Sequence, residues 1–365
     1  MERNPFKFGT VVDGEFFTDR KEEIRRISSY LQGENHLIMI SPRRYGKTSL
    51  IKKVLNESGR KYLYLDLQLV FSTEDFASQL LKRIYNLFTL QKIKGFIKTF
   101  RIIPSLIMNP VTGETEISFR SGSNGHVPLE DVFNLVEKLG TEKNKLIVVL
   151  DEFQEIFRLE KDLDRFLRSL MQNHKNINYI MMGSSESMIR DIFEKKRSPF
   201  YRFGTLMTLD KIPASEFNEF MEGKFKSVID NPGRVTAGIF RITDYHPFYS
   251  QQLAFTVWEM IHHLGYPDEI ELQAAEEIIQ SHDNDYERLW NSLNRTDKSL
   301  LAGMCSSDLS PLSDAFLKEY GLGATSTVFS AIKRMTEKGF LVKTRQEYKI
   351  DDPFFRLWII NRRKA

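Results

Sequence analysis

The sequence predicts an α/β fold with a parallel β-sheet, followed by a helical region and a small C-terminal module. The apolar run Leu37–Ile40 leads into a turn with Gly-Lys-Thr and then into residues with helical spacing. A second apolar run, 146–150, ends in two carboxylates, which is typical of a strand buried on both faces. Residues 212–285 carry apolar residues at helical spacing, and the module that begins near Trp290 combines helices with a hairpin pattern.

The remaining elements follow from the same patterns in chain order. Further strands are predicted over 62–67, over 178–183 and just after Arg202. The segment 92–127 is interpreted as a surface insertion that contains a hairpin with a turn at 109–113. Apolar spacing predicts helices over 20–32, 49–55, 73–89, 159–173, 214–225, 235–241, 247–264, 272–281, 296–305, 310–320 and 324–338, with a hairpin over 340–350.

The composition is that of a soluble globular chain of two or three domains. Its 365 residues include 41% hydrophobic and 28% charged residues, and the net charge of +3 does not demand a nucleic-acid partner. From Trp290 onward there are 13 Lys and Arg against 8 Asp and Glu, so the basic character lies in the C-terminal module. Cys305 is the only cysteine, which excludes an internal disulfide and a cysteine-based zinc site. We expect a cytoplasmic protein without a membrane partner, because no secretion signal or membrane-spanning run is present.

Residues 41–49 have the spacing of a phosphate-binding P-loop between a strand and a helix. Backbone N–H groups at the start of a helix can surround a polyphosphate, and Gly46 keeps side chains out of the way. Lys47 would approach the β- and γ-phosphates of ATP, and Thr48 would place its hydroxyl on Mg²⁺. Ser41 occupies the position where the pattern usually has its first glycine, and an ordinary strand-to-helix turn is the alternative. The predicted nucleotide-binding residues of the loop are Ser41, Pro42, Arg43, Arg44, Tyr45, Gly46, Lys47, Thr48 and Ser49.

Asp151 and Glu152 form the second candidate motif. They follow a predicted core strand, and parallel sheets bind ligands at the carboxyl ends of their strands. Asp151 would hold Mg²⁺, directly or through water, and Glu152 would deprotonate the attacking water. A helix N-cap is the simpler interpretation of such a pair, but its combination with the P-loop favours the catalytic one.

Three further positions remain open on the residues alone. Arg20 could reach the base or phosphates, or it could be a solvated charge at a helix start. Arg202 could stabilise charge at the γ-phosphate, within the chain or across a subunit interface, or it could be a surface charge, with Arg197 as the substitute. Ser184 or Ser185 could sense the γ-phosphate or simply end a strand.

Taken together, these motifs resemble the archaeal-type ATPases of the STAND branch of P-loop NTPases, which are related to AAA+ ATPases. The matching segments are Phe-Thr-Asp-Arg-x-x-Glu, Ser-Pro-Arg-Arg-x-Gly-Lys-Thr-Ser-Leu, Ser-Pro-Phe-Tyr-Arg and Tyr-His-Pro-Phe-Tyr-Ser-Gln-Gln, within residues 5–260. The resemblance implies a five-stranded parallel sheet of the ASCE/AAA+ type, with one strand between the P-loop strand and the Asp-Glu strand. It also implies that His246 and Pro247 contact the nucleotide from a helical lid. The expected domains are an ATPase core (1–211), the lid (212–288) and a winged helix (289–365).

The C-terminal module resembles a winged helix-turn-helix. In its third helix, Val328, Ile332 and Met335 share the expected buried face, and a basic helix and wing are typical of DNA-binding modules. Many winged helices contact only proteins, so a protein partner remains the alternative. The candidate DNA contacts are Thr327, Ser330, Lys333, Arg334 and Lys338 of the helix and Arg345 of the wing.

The sequence therefore favours an ATP-hydrolysing switch that regulates DNA or protein binding through the winged helix. A nucleotide-dependent scaffold with little turnover is the alternative, and a homo-oligomer is compatible with either. A small-molecule kinase fits less well, because the lid and the winged helix have no obvious place in one.

Overall fold

A computed structural model describes residues 3–18, 20–33, 35–108, 115–119, 126–265, 267–344 and 347–363. The chain forms two compact units, which we call the sheet unit (21–43 and 47–210) and the helical unit (1–20, 44–46 and 211–365). The first 20 residues are grouped with the helical unit, and Phe6 contributes to this grouping, since its ring centroid lies 4.7 Å from that of Phe225 and 6.1 Å from that of Trp258. The expected domain bounds stay a prediction. Within the described ranges, no helix has the length and apolar character to cross a membrane.

A five-stranded parallel sheet forms the centre of the sheet unit, as expected. Its strand order is β2-β5-β6-β1-β7, so β6 lies between the P-loop strand β1 and the Asp-Glu strand β5. Strands β1, β5 and β6 are buried along their whole length, which explains why their sequences are mostly apolar. A separate antiparallel hairpin, β3-β4, occupies the insertion. The strands are β1 Leu37–Ile40, β2 Tyr62–Asp66, β3 Ser105–Met108, β4 Thr115–Ser118, β5 Leu146–Asp151, β6 Ile177–Gly183 and β7 Thr205–Thr208.

The register of the sheet determines which loops share an edge. Asp66 pairs with Asp151, and Ile40 pairs with Gly183, so the loops after β1, β2, β5 and β6 leave from the carboxyl edge. Thr205 pairs with Leu37, the first residue of β1, so the chain enters β7 at the opposite, amino edge. The P-loop and the acidic pair therefore begin at the same edge.

Helices pack on the sheet, and one predicted helix is interrupted. Residues 159–173 belong to two helices rather than one, because Asp162 adopts a left-handed conformation with φ of 62°. The predicted turn at 109–113 lies outside the described residues. The helices of this unit are α1 Lys21–Gln32, α2 Lys47–Glu57, α3 Thr73–Leu87, α4 Leu90–Ile97, α5 Val127–Leu139, α6 Ile156–Leu159, α7 Leu163–Met171 and α8 Glu186–Glu194.

The helical unit has one hydrophobic core that includes both the predicted lid and the winged helix. Trp258 of the lid segment and Phe316 and Trp358 of the winged helix are each at most 1% exposed within this core. The predicted bounds of α9 and α11 are confirmed. The helices are α9 Ala214–Phe225, α10 Pro232–Thr243, α11 Pro247–Leu264, α12 Ile270–Ser281, α13 Asp283–Asn291, α14 Arg295–Ser306, α15 Asp314–Glu319, α16 Thr325–Glu337 and α17 Pro353–Arg363, and the wing strands are β8 Leu341–Lys343 and β9 Tyr348–Ile350.

Candidate functional site

Four of the predicted site residues lie together at the carboxyl edge of the sheet. The Lys47 Nζ is 3.0 Å from Asp151 Oδ1 and 3.3 Å from Glu152 Oε1. The Thr48 hydroxyl donates to Asp151 Oδ2 at 3.4 Å. The side chains of Lys47, Asp151 and Glu152 are 9%, 7% and 14% exposed, so one cation is paired with two carboxylates away from water.

The backbone of the loop has the conformation that its sequence predicts. Gly46 has φ of +86°, and a Cβ there would meet no atom within 4 Å. Glycine is therefore favoured by its left-handed backbone rather than by a lack of space. Ser41 is fully buried, with its N–H 3.3 Å from the Gly183 carbonyl, so a small side chain fits where glycine is usual.

Glu152 is held by several donors in a strained conformation. Its φ of 50° is unusual for a residue with a side chain, and such strain is concentrated at functional sites. Its Oε2 accepts from Gln154 Nε2 at 2.5 Å and from Ser184 N and Oγ at 3.1 and 2.8 Å. Burial raises the pKa of Glu152, but Lys47 and these hydrogen bonds outweigh it, so the pKa is lowered overall. Ser184, a candidate phosphate sensor on sequence, therefore contacts the candidate base.

Strand β2 contributes two residues that sequence reasoning missed. The Tyr64 hydroxyl donates to Asp151 Oδ2, and Asp66 ends the strand directly opposite Asp151. Burial and the charge of Asp151 raise the pKa of Tyr64, so its hydroxyl remains a donor. The available signal was that Tyr64 and Asp66, two residues apart at the end of a predicted strand, share one face of it. This signal becomes informative only when β2 is known to be the neighbour of β5.

The oxygen donors at this edge fit Mg²⁺ bound together with a nucleotide. The described residues contain no group of three or more His, Cys, Asp or Glu side chains arranged to hold a metal. Thr48 and Asp151 instead offer one hydroxyl and one carboxylate. Mg²⁺ is commonly bound by one or two carboxylates, with waters and substrate phosphates completing its coordination.

The tip of the loop belongs to the helical unit. Arg20 is 2% exposed and donates to the Tyr45 carbonyl at 3.0 Å, so it is not the solvated charge that was one alternative. Arg44 donates to the Tyr249 hydroxyl at 2.6 Å, and the ring of Tyr45 lies 4.9 Å from that of His246. The tip of the loop is therefore contacted by a residue that precedes it in the chain, Arg20, and by two that follow it, His246 and Tyr249.

His246 precedes α11, and Pro247 is the first residue of that helix, where a missing N–H costs nothing. The imidazole is buried, and among the described residues neither ring nitrogen has a hydrogen-bond partner. Its Nε2 lies 3.7 Å from Asp351 Oδ1. An unsatisfied buried imidazole beside the loop is a candidate for a ligand contact.

The structure does not bring Arg202 to this cluster. Arg202 is exposed and comes just before β7, at the amino edge, whereas the P-loop follows the last residue of β1. The four residues of β1 span about 10 Å between the two edges. Arg197 is likewise exposed in the segment between α8 and β7. A role for Arg202 at the γ-phosphate stays a prediction, and the strand register favours its action on a second copy of the chain.

In the winged helix, one predicted DNA contact has another role. Arg334 binds Asp297 of α14, a carboxylate whose side chain is 1% exposed, because a buried acid requires a cation. Phe329, which was not considered on sequence, is 53% exposed on the same helix. Arg345 lies outside the described residues. The other candidate contacts are exposed, namely Thr327, Ser330, Lys333 and Lys338.

Comparison with known proteins assigns both parts of the chain. Residues 17–252 match the family described as ATPase domains predominantly from Archaea, and residues 284–361 match a probable winged helix domain. A search of curated protein sequences found no match.

Solved structures of similar fold cover nearly the whole chain. The Walker-type ATPase of Pyrococcus abyssi has a TM-score of 0.67 and 20% identity, over 95% of this chain and 97% of that chain. The ORC2 protein of Aeropyrum pernix, solved in ADPNP–ADP complexes, has a TM-score of 0.55 and 15% identity, over 98% of both chains. The ORC1 protein of that organism in complex with DNA has a TM-score of 0.53 and 14% identity, over 99% and 98%. At these identities the likeness establishes the fold alone.

Proposed function

Because this chain belongs to the family of ATPase domains found predominantly in Archaea, we propose that it binds ATP with Mg²⁺ and hydrolyses the bond between the β- and γ-phosphates. The observation that carries the proposal is the position of Lys47, within 3.3 Å of both Asp151 and Glu152 at the start of α2. A buried cation, a hydroxyl and two carboxylates at one helix N-terminus are the groups that phosphoryl transfer requires.

Each side chain has a role that follows from its chemistry. Lys47 binds the β- and γ-phosphates, while Thr48 and Asp151 hold Mg²⁺, which when bound neutralises phosphate charge. Glu152 accepts the proton of the attacking water as its oxygen bonds to the γ-phosphorus and the bond to the ADP oxygen breaks. ADP and inorganic phosphate leave. The low pKa of Glu152 keeps it in the ionised form that a base requires.

Phosphate release by wild-type protein and by Glu152→Gln tests this function. The variant should bind ATP normally, but kcat should fall by about 10²–10⁴-fold, the usual contribution of a general base. Glu155→Gln is the matched control, since Glu155 lies on the next turn and pairs with Arg158. Turnover by Glu152→Gln at the wild-type rate would contradict the assignment. ATP binding without turnover by the wild type would favour the alternative, a low-turnover scaffold.

Arg202 is proposed to act on the site of a second copy of the chain. Its place at the amino edge supports this arrangement, because an exposed guanidinium there is available to a neighbour. Lys47→Ala and Arg202→Ala should each be inactive alone, and a mixture should recover part of the activity. A mixture that stays inactive would refute sharing between copies.

Membership of the STAND branch is proposed from the His246-Pro247 pair. The buried imidazole without a hydrogen-bond partner, packed against Tyr45 of the loop, supports a contact with bound nucleotide. His246→Ala should then weaken ADP binding, whereas His263→Ala on the exposed end of α11 should not. Equal ADP affinities in the two variants would exclude this contact.

The winged helix is proposed to carry the output of a nucleotide-controlled switch, with DNA as the first candidate. Exposed Ser330 and Lys333 on α16 support DNA, and the exposed Phe329 on the same helix favours a protein partner as the second candidate. Filter binding at two salt concentrations separates them, because DNA affinity falls steeply with salt. Lys333→Ala should weaken DNA binding, and Phe329→Ala should leave the salt dependence unchanged. Absence of DNA binding at low salt would leave the protein partner.

A further inference from the structure

We propose that Tyr64 is a positioning residue for the metal ligand Asp151, so that β2 as well as β5 determines metal binding at this site. The inference rests on the proposed ATPase function, because Asp151 is a metal ligand only there. Tyr64 touches neither metal nor phosphate in this role, and it acts through the carboxylate.

The hydrogen bonds of Asp151 show why Tyr64 differs from the other partners. Oδ1 is 3.0 Å from Lys47 Nζ and accepts the Glu152 N–H at 2.9 Å. Oδ2 accepts from the Thr48 hydroxyl at 3.4 Å and, more closely, from the Tyr64 hydroxyl. Lys47 and Thr48 belong to the loop that would bind phosphate and metal. Tyr64 lies on a strand of the sheet.

Nucleotide binding would change these partners unequally. Lys47 and Thr48 have their own roles toward phosphate and metal, so their hydrogen bonds to Asp151 compete with ligand binding. Tyr64 has no role of its own toward phosphate or metal, although its hydroxyl also lies in hydrogen-bond contact with the Thr48 side chain. Its strand is paired in register with β5 from Tyr62 to Asp66, which fixes the backbone of Tyr64 relative to the strand that ends in Asp151. Tyr64 therefore restrains the rotation of the Asp151 carboxylate when Lys47 and Thr48 exchange their hydrogen bonds to it for contacts with phosphate and metal.

The size of the effect follows from metal sites in general. Hydrogen-bond partners of metal ligands typically contribute about 10–100-fold to metal affinity. Tyr64→Phe removes one hydroxyl and keeps the ring, above which Lys52 lies at 5.5 Å. We therefore expect the Mg²⁺ concentration for half-maximal binding of a non-hydrolysable ATP analogue to rise about 10-fold or more. Affinity for the analogue in EDTA should not change, and high Mg²⁺ should restore wild-type binding.

Tyr62→Phe is the matched control. Tyr62 lies two residues earlier on the same strand, and its hydroxyl donates to Asn56 Oδ1 at 3.2 Å rather than to Asp151. Its Mg²⁺ requirement should equal that of the wild type. Thermal unfolding compares both variants, and paramagnetic resonance of Mn²⁺ in the ternary complex provides a direct readout of metal affinity without turnover.

The outcomes separate this inference from the proposed function. A wild-type Mg²⁺ requirement in Tyr64→Phe would overturn the inference alone, provided that the wild type binds nucleotide. An equal loss of affinity with and without Mg²⁺ would also overturn it, because that pattern indicates general damage to the site. Failure of the wild type to bind nucleotide at all would overturn the proposed function, and the inference with it.

Discussion

Replacement of Gly183 by alanine should slow hydrolysis without preventing nucleotide binding. Gly183 ends β6, and a Cβ there would lie within 3.0 Å of Gln154 Oε1 and of two carbons of Ile189. Both neighbours must shift, because Ile189, which is fully buried in α8, would be as close to the new Cβ as Gln154. Gln154 gives way more easily, since its amide is the end of a flexible side chain. Its displacement would break the 2.5 Å hydrogen bond to Glu152.

The expected change in kcat follows from the lost hydrogen bond between Gln154 and Glu152, and the expected change in stability follows from the overpacking around the new Cβ. A hydrogen bond to an ionised group contributes about 1.5–3 kcal/mol. If Glu152 loses that support in the transition state, kcat falls by about 10- to 100-fold, since 1.36 kcal/mol corresponds to a factor of ten. Overpacking should lower the free energy of unfolding by about 1–3 kcal/mol. Steady-state phosphate release and urea denaturation measure the two effects separately.

Two further variants show whether the effect passes through Gln154. Gln154→Ala alone should reduce kcat to a similar extent, and adding Gly183→Ala should then reduce it little more. Gly223→Ala in α9 is the control, because a Cβ there meets no atom within 4 Å. Normal kcat in folded Gly183→Ala protein would refute the reasoning that Gln154 positions Glu152.

Two other predictions concern the winged helix and the pH dependence. Arg334→Ala should destabilise the protein by about 1–3 kcal/mol in urea denaturation, because it leaves the buried Asp297 without its half-exposed cation; a loss below about 0.5 kcal/mol would show that this pair is dispensable. In the free protein the pKa of Glu152 is lowered from 4.5, so its carboxylate stays charged as the pH falls, and the acid limb of kcat/KM should lie below pH 4.5. An acid limb near pH 6 would indicate that another group is the base.

The parts of the fold that the sequence predicted correctly depend on local patterns. Strands β1 and β5 are recognisable because both faces are buried, so every residue of β1 is apolar, as is every residue of β5 before Asp151. The P-loop is recognisable because the strand, Gly46 and the helix that starts at Lys47 are contiguous. Helices α9 and α11 were predicted with the observed bounds, since their apolar residues follow the helical period without interruption.

The contacts that sequence reasoning missed join residues far apart in the chain. Tyr64 meets Asp151 only because β2 is the neighbour of β5, and no local pattern specifies strand order. Arg334 follows Lys333 and has similar chemistry, yet it turns toward Asp297 on another helix. The contacts of such side chains depend on which buried carboxylates need a cation or a hydrogen-bond donor. The buried carboxylates can be identified only when the packing of the elements is known.

The allocation of Arg44, Tyr45 and Gly46 to the helical unit has a consequence for dissecting the protein. A fragment that stopped at Asp210 would retain the lysine and both carboxylates, yet Arg44 would lose the Tyr249 hydroxyl and Tyr45 the ring of His246. Cutting the chain after Asp210 would therefore separate the catalytic side chains from the residues that hold Arg44 and Tyr45 of the loop in place.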